Sequence, residues 1–218
     1  NGAELGSVED VPDSIIYNVY ENEDGTISVT IEAGAGVWWN YSLTSTDAST
    51  DSGTDTGGDT GTDTGGDTGT DTGSATPFNY DLSDTEWVLT PEAGLYGVGP
   101  AEFDVSWWNA DDGVIALRSC GFDDVYTFNA DGSFEIDHQD ETWVEVWQGG
   151  SDACGTPVSP WDGSMPGTWS VDTANGTLTI GGQGSYIGLA KAVNGAELGS
   201  VEDVPDSIIY NVYENEDG

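Results

Sequence analysis

The sequence predicts an all-β protein: an antiparallel β-sandwich or jelly roll joined to a low-complexity extended linker. The 218 residues include 32 Gly, nine Trp and nine Tyr. The aromatic residues, together with the many β-branched Val, Ile and Thr, favour strands. Short runs of alternating apolar residues recur between turn residues, a spacing typical of sandwiches. A stretch from Asp51 to Ser74 has no apolar side chain and cannot contribute to a core.

The strands are predicted from alternation and from turn residues between the runs. Ser14–Tyr20 and Thr26–Glu32 flank the sequence ENEDG, which predicts an antiparallel hairpin. Val37–Leu43 is expected to form the next strand. The pattern predicts further elements, namely strands over Val114–Ser119, Asp124–Asn129 and Thr142–Trp147, turns at Asn129–Gly132 and Asn175–Gly176, and a short helix around Ala190–Leu198.

A duplicated segment is the strongest pattern in the chain. Residues 1–25 and 194–218 are identical at all 25 positions, with an offset of 193 residues. Such identity at a fixed period is typical of repeat proteins. We favour a window on a tandem array of 193-residue repeats. The alternative is a duplicated terminal segment that lets the domain be permuted or swapped.

The duplication sets the predicted domain boundaries. Residues 1–47 would be the C-terminal strands of a preceding repeat, 48–77 a linker, and 78–218 a β-sandwich domain completed by the next repeat's copy of 26–47. We expect Thr26–Leu43 to pair with Ser14–Tyr20 in the preceding unit. Strand Ile208–Tyr213 would then present an open edge. A following repeat or a neighbouring chain would fill that edge by strand donation, giving head-to-tail copies.

The linker contains six tetrapeptides of the form Asp-(Thr/Ser)-Gly-x. Repulsion between the regularly spaced carboxylates favours an extended chain, which at ~3.1 Å per residue would reach roughly 90 Å. The segment resembles the threonine-rich parts of glycosylated surface fibres. That resemblance implies O-glycans on threonine, with a bare flexible spacer as the alternative; the candidates are Thr54, Thr56, Thr60, Thr62, Thr64, Thr68, Thr70 and Thr72.

The charge balance excludes some partners. The chain has 41 acidic residues against two basic ones, Arg118 and Lys191, for a formal charge of −39. Nucleic acid is excluded because phosphate binding needs Lys and Arg, and insertion into a membrane is not expected because no long apolar run is present. The composition suits a secreted protein in a salty or calcium-containing exterior. Cys120 and Cys154 are therefore predicted to form a disulfide; two buried free thiols are the alternative.

Catalytic chemistry and metal binding receive little support. The stretch from Glu135 to Glu141 resembles the EIDxxE signature of laminarinase-type hydrolases, but Asp140 stands where Glu is expected. We therefore predict no catalytic dyad and a solvated edge strand instead. Adjacent carboxylates at Asp123 and Asp124 suggest, at most, a structural Ca²⁺ site. No other cofactor is expected.

The tryptophans have two interpretations. Exposed indole faces can stack on sugar rings, and alternation in TWVEVW would place Trp143 and Trp147 on one strand face. Packing within the core is the alternative for any single residue. The candidate glycan contacts are Trp38, Trp39, Trp107, Trp108, Trp143, Trp147 and Trp161.

Several longer stretches resemble one known family, among them 87–100, 120–134, 141–149, 154–164 and 183–198. They are similar to a repeated β-sandwich domain of large secreted proteins from polysaccharide-degrading bacteria, often carried beside laminarinase-like or glycan-binding modules. The resemblance implies an extracellular, glycan-associated domain. The leading hypothesis is a non-enzymatic structural repeat of an extracellular fibre or adhesin. The alternatives are a carbohydrate-binding repeat that captures a glucan-like polysaccharide and, less favoured, a laminarinase-like glycoside hydrolase.

Overall fold

The computed structural model describes residues 25–46 and 81–214. The regular secondary structure of this part of the chain is mainly antiparallel β strand, with two short helices, which confirms the all-β prediction. The strands are β1 (Thr26–Glu32), β2 (Trp38–Ser45), β3 (Thr85–Leu89), β4 (Tyr96–Gly99), β5 (Trp108–Asn109), β6 (Val125–Phe128), β7 (Ser133–Asp137), β8 (Thr142–Val144), β9 (Ala153–Gly155), β10 (Gly167–Asp172), β11 (Thr177–Gly181), β12 (Ala192–Val193), β13 (Ala196–Glu197) and β14 (Ser207–Glu214). The helices are α1 (Asp112–Leu117) and α2 (Ser119–Phe122), with 3₁₀ turns at Val146–Gln148 and Val201–Asp203.

Eight of the strands close into a barrel. Their order is β1-β14-β11-β10-β7-β6-β3-β2, and pairing between β1 and β2 completes the ring. β4 pairs with the first half of β2 and β5 with β4, so these two strands continue the sheet beside β3, on the edge of β2 opposite β1. The pairs β8–β9 and β12–β13 are separate two-stranded sheets.

The closed ring corrects the predicted sandwich. A sandwich would have two facing sheets with free edges, whereas β1 is hydrogen-bonded on both sides, to β14 and to β2. The sequence could not distinguish these architectures because inward and outward residues alternate with a period of two in both.

Side chains fill the barrel interior. Along β1, Ile27, Val29 and Ile31 are at most 1% exposed, while Ser28 and Thr30 alternate with them. β14 alternates in the same way, with Tyr210 and Val212 completely buried. An eight-stranded barrel is just wide enough for its side chains to fill, so the interior is a packed core.

Two predicted elements differ in the structure. Val114–Ser119, expected as a strand, lies mostly in α1, which begins where the Asp111 carboxylate accepts a hydrogen bond from the Val114 N–H at 2.9 Å. This side-chain cap satisfies one of the free donors of a helix start. The helix expected around Ala190–Leu198 is instead the β12–β13 hairpin, which turns at Asn194 and Gly195. Gly195 has a positive φ of 78°, which a helix interior excludes.

The N-terminal strands lie in the same barrel as the rest of the described chain. β1 pairs with β14, and β2 pairs with β3 and β4. This differs from the expectation that Thr26–Leu43 pairs with Ser14–Tyr20 inside a preceding unit. The second copy of the duplicated sequence supplies a strand identical to Ser14–Tyr20, so the chain can close the ring with its own C-terminal copy. Ser14–Tyr20 itself is outside the described residues.

Candidate functional site

The candidate site is the place where β14 completes the ring. β14 pairs with β11 from Thr177↔Asn211 to Gly181↔Ser207, and with β1 from Ile27↔Glu214 to Thr30↔Asn211. Both edges of β14 are therefore hydrogen-bonded, and removal of this strand would open the barrel between β1 and β11. The whole strand belongs to the second copy of the duplicated segment.

The inner face of β14 is anchored by a buried tyrosine. The Tyr210 hydroxyl accepts a hydrogen bond from the Ile187 N–H at 2.9 Å and lies 3.4 Å from the Ile187 carbonyl oxygen. Burial raises the pKa of this hydroxyl far above its ordinary value, so it stays protonated. A buried hydroxyl with both a donor and an acceptor partner holds the strand in one register.

The outer face of the same strand is held by one carboxylate. Glu102 Oε1 accepts hydrogen bonds from Asn211 Nδ2 and from the Tyr213 hydroxyl, each at 2.9 Å, and from the Thr30 hydroxyl. Thr30 lies on β1, whereas Asn211 and Tyr213 lie on β14. Glu102 therefore bridges the two strands across the closure, and the sequence analysis did not predict it.

The upstream part of the duplicated segment also contacts the barrel. The Gly195 N–H donates to the Glu32 carbonyl oxygen at 2.8 Å, and the Trp39 indole N–H donates to Glu197 Oε1 at 2.7 Å. The Lys191 ammonium lies 3.5 Å from Glu197 Oε2. These contacts attach the β12–β13 hairpin to the ends of β1 and β2.

A small groove lies beside the closure, on the outside of β1 and β2. It has a volume of about 120 Å³, and Ser28, Thr30 and Ser42 are among its lining residues together with Leu95 and Phe103. The Phe103 side chain is 54% exposed, although its ring packs on Tyr213 with centroids 5.0 Å apart. Phe103 has a φ of +62°, a backbone conformation that costs a bulky residue on the order of 1 kcal/mol or more.

The predicted glycan-contacting tryptophans are distributed over different environments. Trp39 and Trp161 are core residues, at 6% and 2% exposure, whereas Trp107 is 57% exposed. The remaining four are partly buried: Trp38, Trp108, Trp143 and Trp147. The structure therefore does not arrange the seven residues as one exposed row.

The prediction that Trp143 and Trp147 share one strand face is wrong. β8 ends at Val144, and a 3₁₀ turn carries Trp147. The Trp147 indole N–H donates to Glu145 at 2.7 Å, and its ring packs edge-on against Trp161. The polar Glu145 and the following turn interrupt the strand, so the alternation expected over TWVEVW ends early.

Arg118 is a second residue that was not predicted to belong to a site. Its guanidinium carbon lies 4.4 Å from the Trp143 ring centroid and 5.4 Å from that of Trp108. Among the described residues no carboxylate forms an ion pair with it. Two indole faces therefore hold this cation, an arrangement worth about 0.5–2 kcal/mol. Its signal in the sequence was its rarity, since Arg118 is one of two basic residues.

The predicted disulfide is confirmed. Cys120 and Cys154 are bonded, with sulfurs 2.01 Å apart and a sequence separation of 34. The bond joins α2 to β9, and β9 pairs with β8. It thereby attaches the two helices to the small sheet beside the barrel.

The acidic residues considered for catalysis or calcium lie on and after β7. Glu135, Asp137, Asp140 and Glu141 are all exposed, as predicted for a solvated strand and loop. The prediction of an edge strand is wrong, because β7 is hydrogen-bonded on both sides, to β6 and to β10. Within the described ranges no group of three acidic, histidine or cysteine side chains is placed to hold a metal ion. The calcium site at Asp123 and Asp124 therefore stays a prediction.

Asp124 is engaged within the protein. Its carboxylate oxygens lie 2.8 Å from His138 Nδ1 and 2.7 Å from the Thr142 hydroxyl, and the residue is 2% exposed. Burial raises the pKa of this carboxyl above its usual range, although the hydrogen bonds from His138 and Thr142 act in the opposite direction. Both oxygens are thus occupied by internal partners, and Asp124 joins the start of β6 to the start of β8.

Comparison with known proteins provides no relative. No protein-family model, curated protein or solved structure matches the chain. Within the described ranges, no helix has the length and apolar character needed to cross a membrane. The threonines proposed as glycan acceptors fall in 48–77, outside the described residues. The function must therefore be argued from the barrel and the duplication.

Proposed function

We propose that this chain is a structural subunit of an extracellular tandem-repeat fibre or adhesin with a period of 193 residues, assembled head to tail. The observation that carries the proposal is the identity of the closing strand with an earlier segment of the same chain. The chain contains the β14 sequence twice, and the barrel formed by the described residues uses only the second copy. The surplus copy is available to a second barrel.

The acidic linker supports the same proposal. It separates two segments that both contribute strands to the barrel, β1–β2 before it and β3–β14 after it. A spacer that can extend over tens of ångströms lets β1 and β2 join a barrel whose remaining strands come from the same repeat or from another. The negative charge keeps the repeats soluble, and salt in an extracellular medium reduces their repulsion.

Closure within one chain changes the basis of the proposal. An open edge on Ile208–Tyr213 no longer requires assembly, because β1 of the same chain covers that edge. The argument for assembly depends instead on the surplus copy. Head-to-tail exchange of an identical strand is a heterologous contact, which continues into a fibre unless a rotation closes it into a ring.

The test is the assembly state of the full chain across concentration and salt. We expect sedimentation velocity to show a series of oligomers that grows with concentration, and negative-stain microscopy to show linear chains of barrels. Tyr17→Pro should prevent the first copy from forming a strand and leave monomers. Thr60→Pro, in the linker, is the matched control and should leave the oligomers unchanged. A full chain that stays monomeric at every concentration would reject the fibre.

A second candidate function is capture of a polysaccharide, the alternative raised by the tryptophans. The groove beside the closure combines an exposed aromatic residue, Phe103, with the hydroxyl-bearing residues Ser28 and Ser42 in its lining. Apolar ring faces and hydrogen-bonding hydroxyls are the two kinds of contact that a sugar needs. Trp107 adds a largely exposed indole four residues further along the chain.

Affinity electrophoresis in gels containing a soluble β-glucan tests this candidate. We expect retardation of the full chain, and a loss of about tenfold or more in affinity for Phe103→Ala or Trp107→Ala, since a stacked aromatic contributes on the order of 1–2 kcal/mol. Leu117→Ala removes an exposed apolar side chain on α1 and should have no effect. Equal mobility of all four proteins with and without glucan would exclude binding of that polysaccharide.

A further inference from the structure

We propose that the position of β14 is a strand-binding site that accepts either copy of the duplicated segment, and that Glu102 recognises the strand that occupies it. The alternative occupant is Ser14–Glu21 of the first copy, from the same chain or from another. The inference deepens the proposed head-to-tail assembly and rests on it for exchange between chains. Exchange within one chain would occur without any assembly.

The site and its occupant are separate parts of the sequence. Most of the groups that receive β14 lie outside the duplication: β1, β11, Ile187 and Glu102. Asn194, whose side-chain amide forms two hydrogen bonds with the Ile209 backbone, lies inside it and has Asn1 as its counterpart. The side chains that β14 contributes all lie inside it and have identical counterparts in the first copy. Tyr17 corresponds to the buried Tyr210, so the first copy carries the same groups for every contact made at this position.

The register of β14 also suits the first copy. Ile27 pairs with Glu214, and the counterpart of Glu214 is Glu21. A direct hairpin in the same register would place Glu21 opposite Ile27 and leave Asn22–Thr26 as a loop of five residues. Hairpin loops of two to five residues are the usual ones. The first copy can therefore replace the second with no register slip, which would otherwise turn its apolar face outward.

The backbone before β1 is consistent with that hairpin. Gly25 is the last residue of the first copy and has a φ of +64°. A left-handed glycine at the end of an Asp-Gly loop is the usual entry into the second strand of a hairpin. The first residue described at this end of the chain thus has a conformation that such a loop can use.

Glu102 provides selectivity for the occupant. It accepts hydrogen bonds from an Asn and a Tyr two residues apart on the outer face of β14. Both side chains recur in the first copy as Asn18 and Tyr20. A strand without this Asn-x-Tyr pattern would pack its apolar face equally well but would leave the carboxylate without two of its donors. Hydrogen bonds to a charged acceptor are among the stronger ones.

Cysteine trapping in the full chain tests the site. Val29 lies directly opposite Val212 in the β1–β14 pair, so the two positions are close enough for a disulfide. Both side chains are completely buried. The first pair, Val29→Cys with Val212→Cys, detects the second copy. The second pair, Val29→Cys with Val19→Cys, detects the first copy. Val29→Cys with Val201→Cys is the control, because Val201 lies in an exposed 3₁₀ turn. Each variant is refolded under oxidising conditions and its cross-links are mapped by mass spectrometry.

We expect the two test pairs to be trapped with yields within about tenfold of each other and the control pair not to be trapped. The inference is overturned if the Val19 pair yields no more product than the control, whether or not the Val212 pair is trapped. Cross-links of the Val19 pair within one chain only would support the strand-binding site and contradict the proposed fibre. Cross-links between chains, seen as a ladder of oligomers, support both.

A second set of variants tests recognition by Glu102. Asn18→Ala with Tyr20→Phe should lower trapping of the first copy relative to the second by about tenfold. The matched changes Asn211→Ala and Tyr213→Phe should shift the ratio by a similar factor in the opposite direction. With Glu102→Ala in the background, both shifts should shrink to about twofold or less. Shifts that persist at full size in that background would show that Glu102 does not select the strand.

Discussion

Glu102 and Tyr213 are 111 residues apart in the chain, yet the Tyr213 hydroxyl donates a 2.9 Å hydrogen bond to the Glu102 carboxylate. Burial raises the pKa of the Tyr213 hydroxyl well above its ordinary value, and the neighbouring Glu102 carboxylate raises it further, so the hydroxyl remains a donor at any physiological pH. The same carboxylate accepts hydrogen bonds from Thr30 of β1 and Asn211 of β14. It therefore stabilises the one strand pair that joins the two ends of the described chain.

The first prediction concerns this carboxylate. Glu102→Ala should lower the free energy of unfolding by about 2 kcal/mol, because three donors lose a charged acceptor and Thr30 is fully buried. Urea unfolding followed by tryptophan fluorescence measures the loss. Glu92→Ala, at an exposed position, is the control and should change stability by less than about 0.5 kcal/mol. Equal stability of both variants would show that the hydrogen bonds to Glu102 do not support the closure.

The second prediction concerns pH. Burial raises the pKa of the Asp124 carboxyl in the folded protein, so the folded state keeps this proton to a higher pH than the unfolded state, whose carboxyl titrates near its ordinary value of about 3.9. From about pH 4 upward the folded state therefore binds more protons at this group, and stability falls as pH rises. Asp124→Asn should remove this contribution and flatten the slope.

Urea unfolding of both proteins between pH 4 and 5.5 measures the difference in slope. The remaining acidic residues are shared, so their repulsion affects both proteins alike. We expect the stability of Asp124→Asn relative to the natural sequence to increase steadily with pH over this range. A relative stability that is constant or that declines with pH would contradict the raised pKa.

The third prediction concerns the disulfide. Replacement of both cysteines, Cys120→Ser with Cys154→Ser, should cost about 3–4 kcal/mol, the value that the chain-entropy model assigns to a loop of this length. Since the bond joins α2 to β9, hydrogen exchange should increase first in the helices and in β8–β9, while β1 and β14 stay protected. A loss below about 1 kcal/mol would indicate that packing alone holds this region.

The fourth prediction compares two glycines that share a backbone conformation. Gly188 and Gly195 have φ values of +79° and +78°. A Cβ on Gly188 would lie 2.4 Å from the Tyr41 ring, whereas a Cβ on Gly195 would meet nothing within 4 Å. Gly188→Ala should therefore cost about 3 kcal/mol or more, from strain and overlap. Gly195→Ala should cost only about 1 kcal/mol. Similar losses in thermal unfolding would show that the Tyr41 ring moves aside freely.

The sequence by itself determined several features of this protein. Alternation in Thr26–Glu32 and in Ile208–Tyr213 predicted strands because one face of each is apolar and must be buried. An even cysteine count in a strongly acidic chain predicted the Cys120–Cys154 bond. The identity of residues 1–25 with 194–218 is visible without coordinates, and it carries the proposed function. Each of these signals is local or is an exact match, so no knowledge of the fold was needed.

Only the tertiary structure decided how the strands close and what holds the closure. A period of two is common to sandwiches and barrels, so the ring became visible only when β1 was found between β2 and β14. Val114–Ser119 carried a short apolar pattern, and its helix depended on the side-chain cap from Asp111. Glu102 gave no signal among 41 acidic residues. Its role arises because folding brings it to Thr30, Asn211 and Tyr213, and contacts between residues so far apart in the chain depend on the path of the whole barrel.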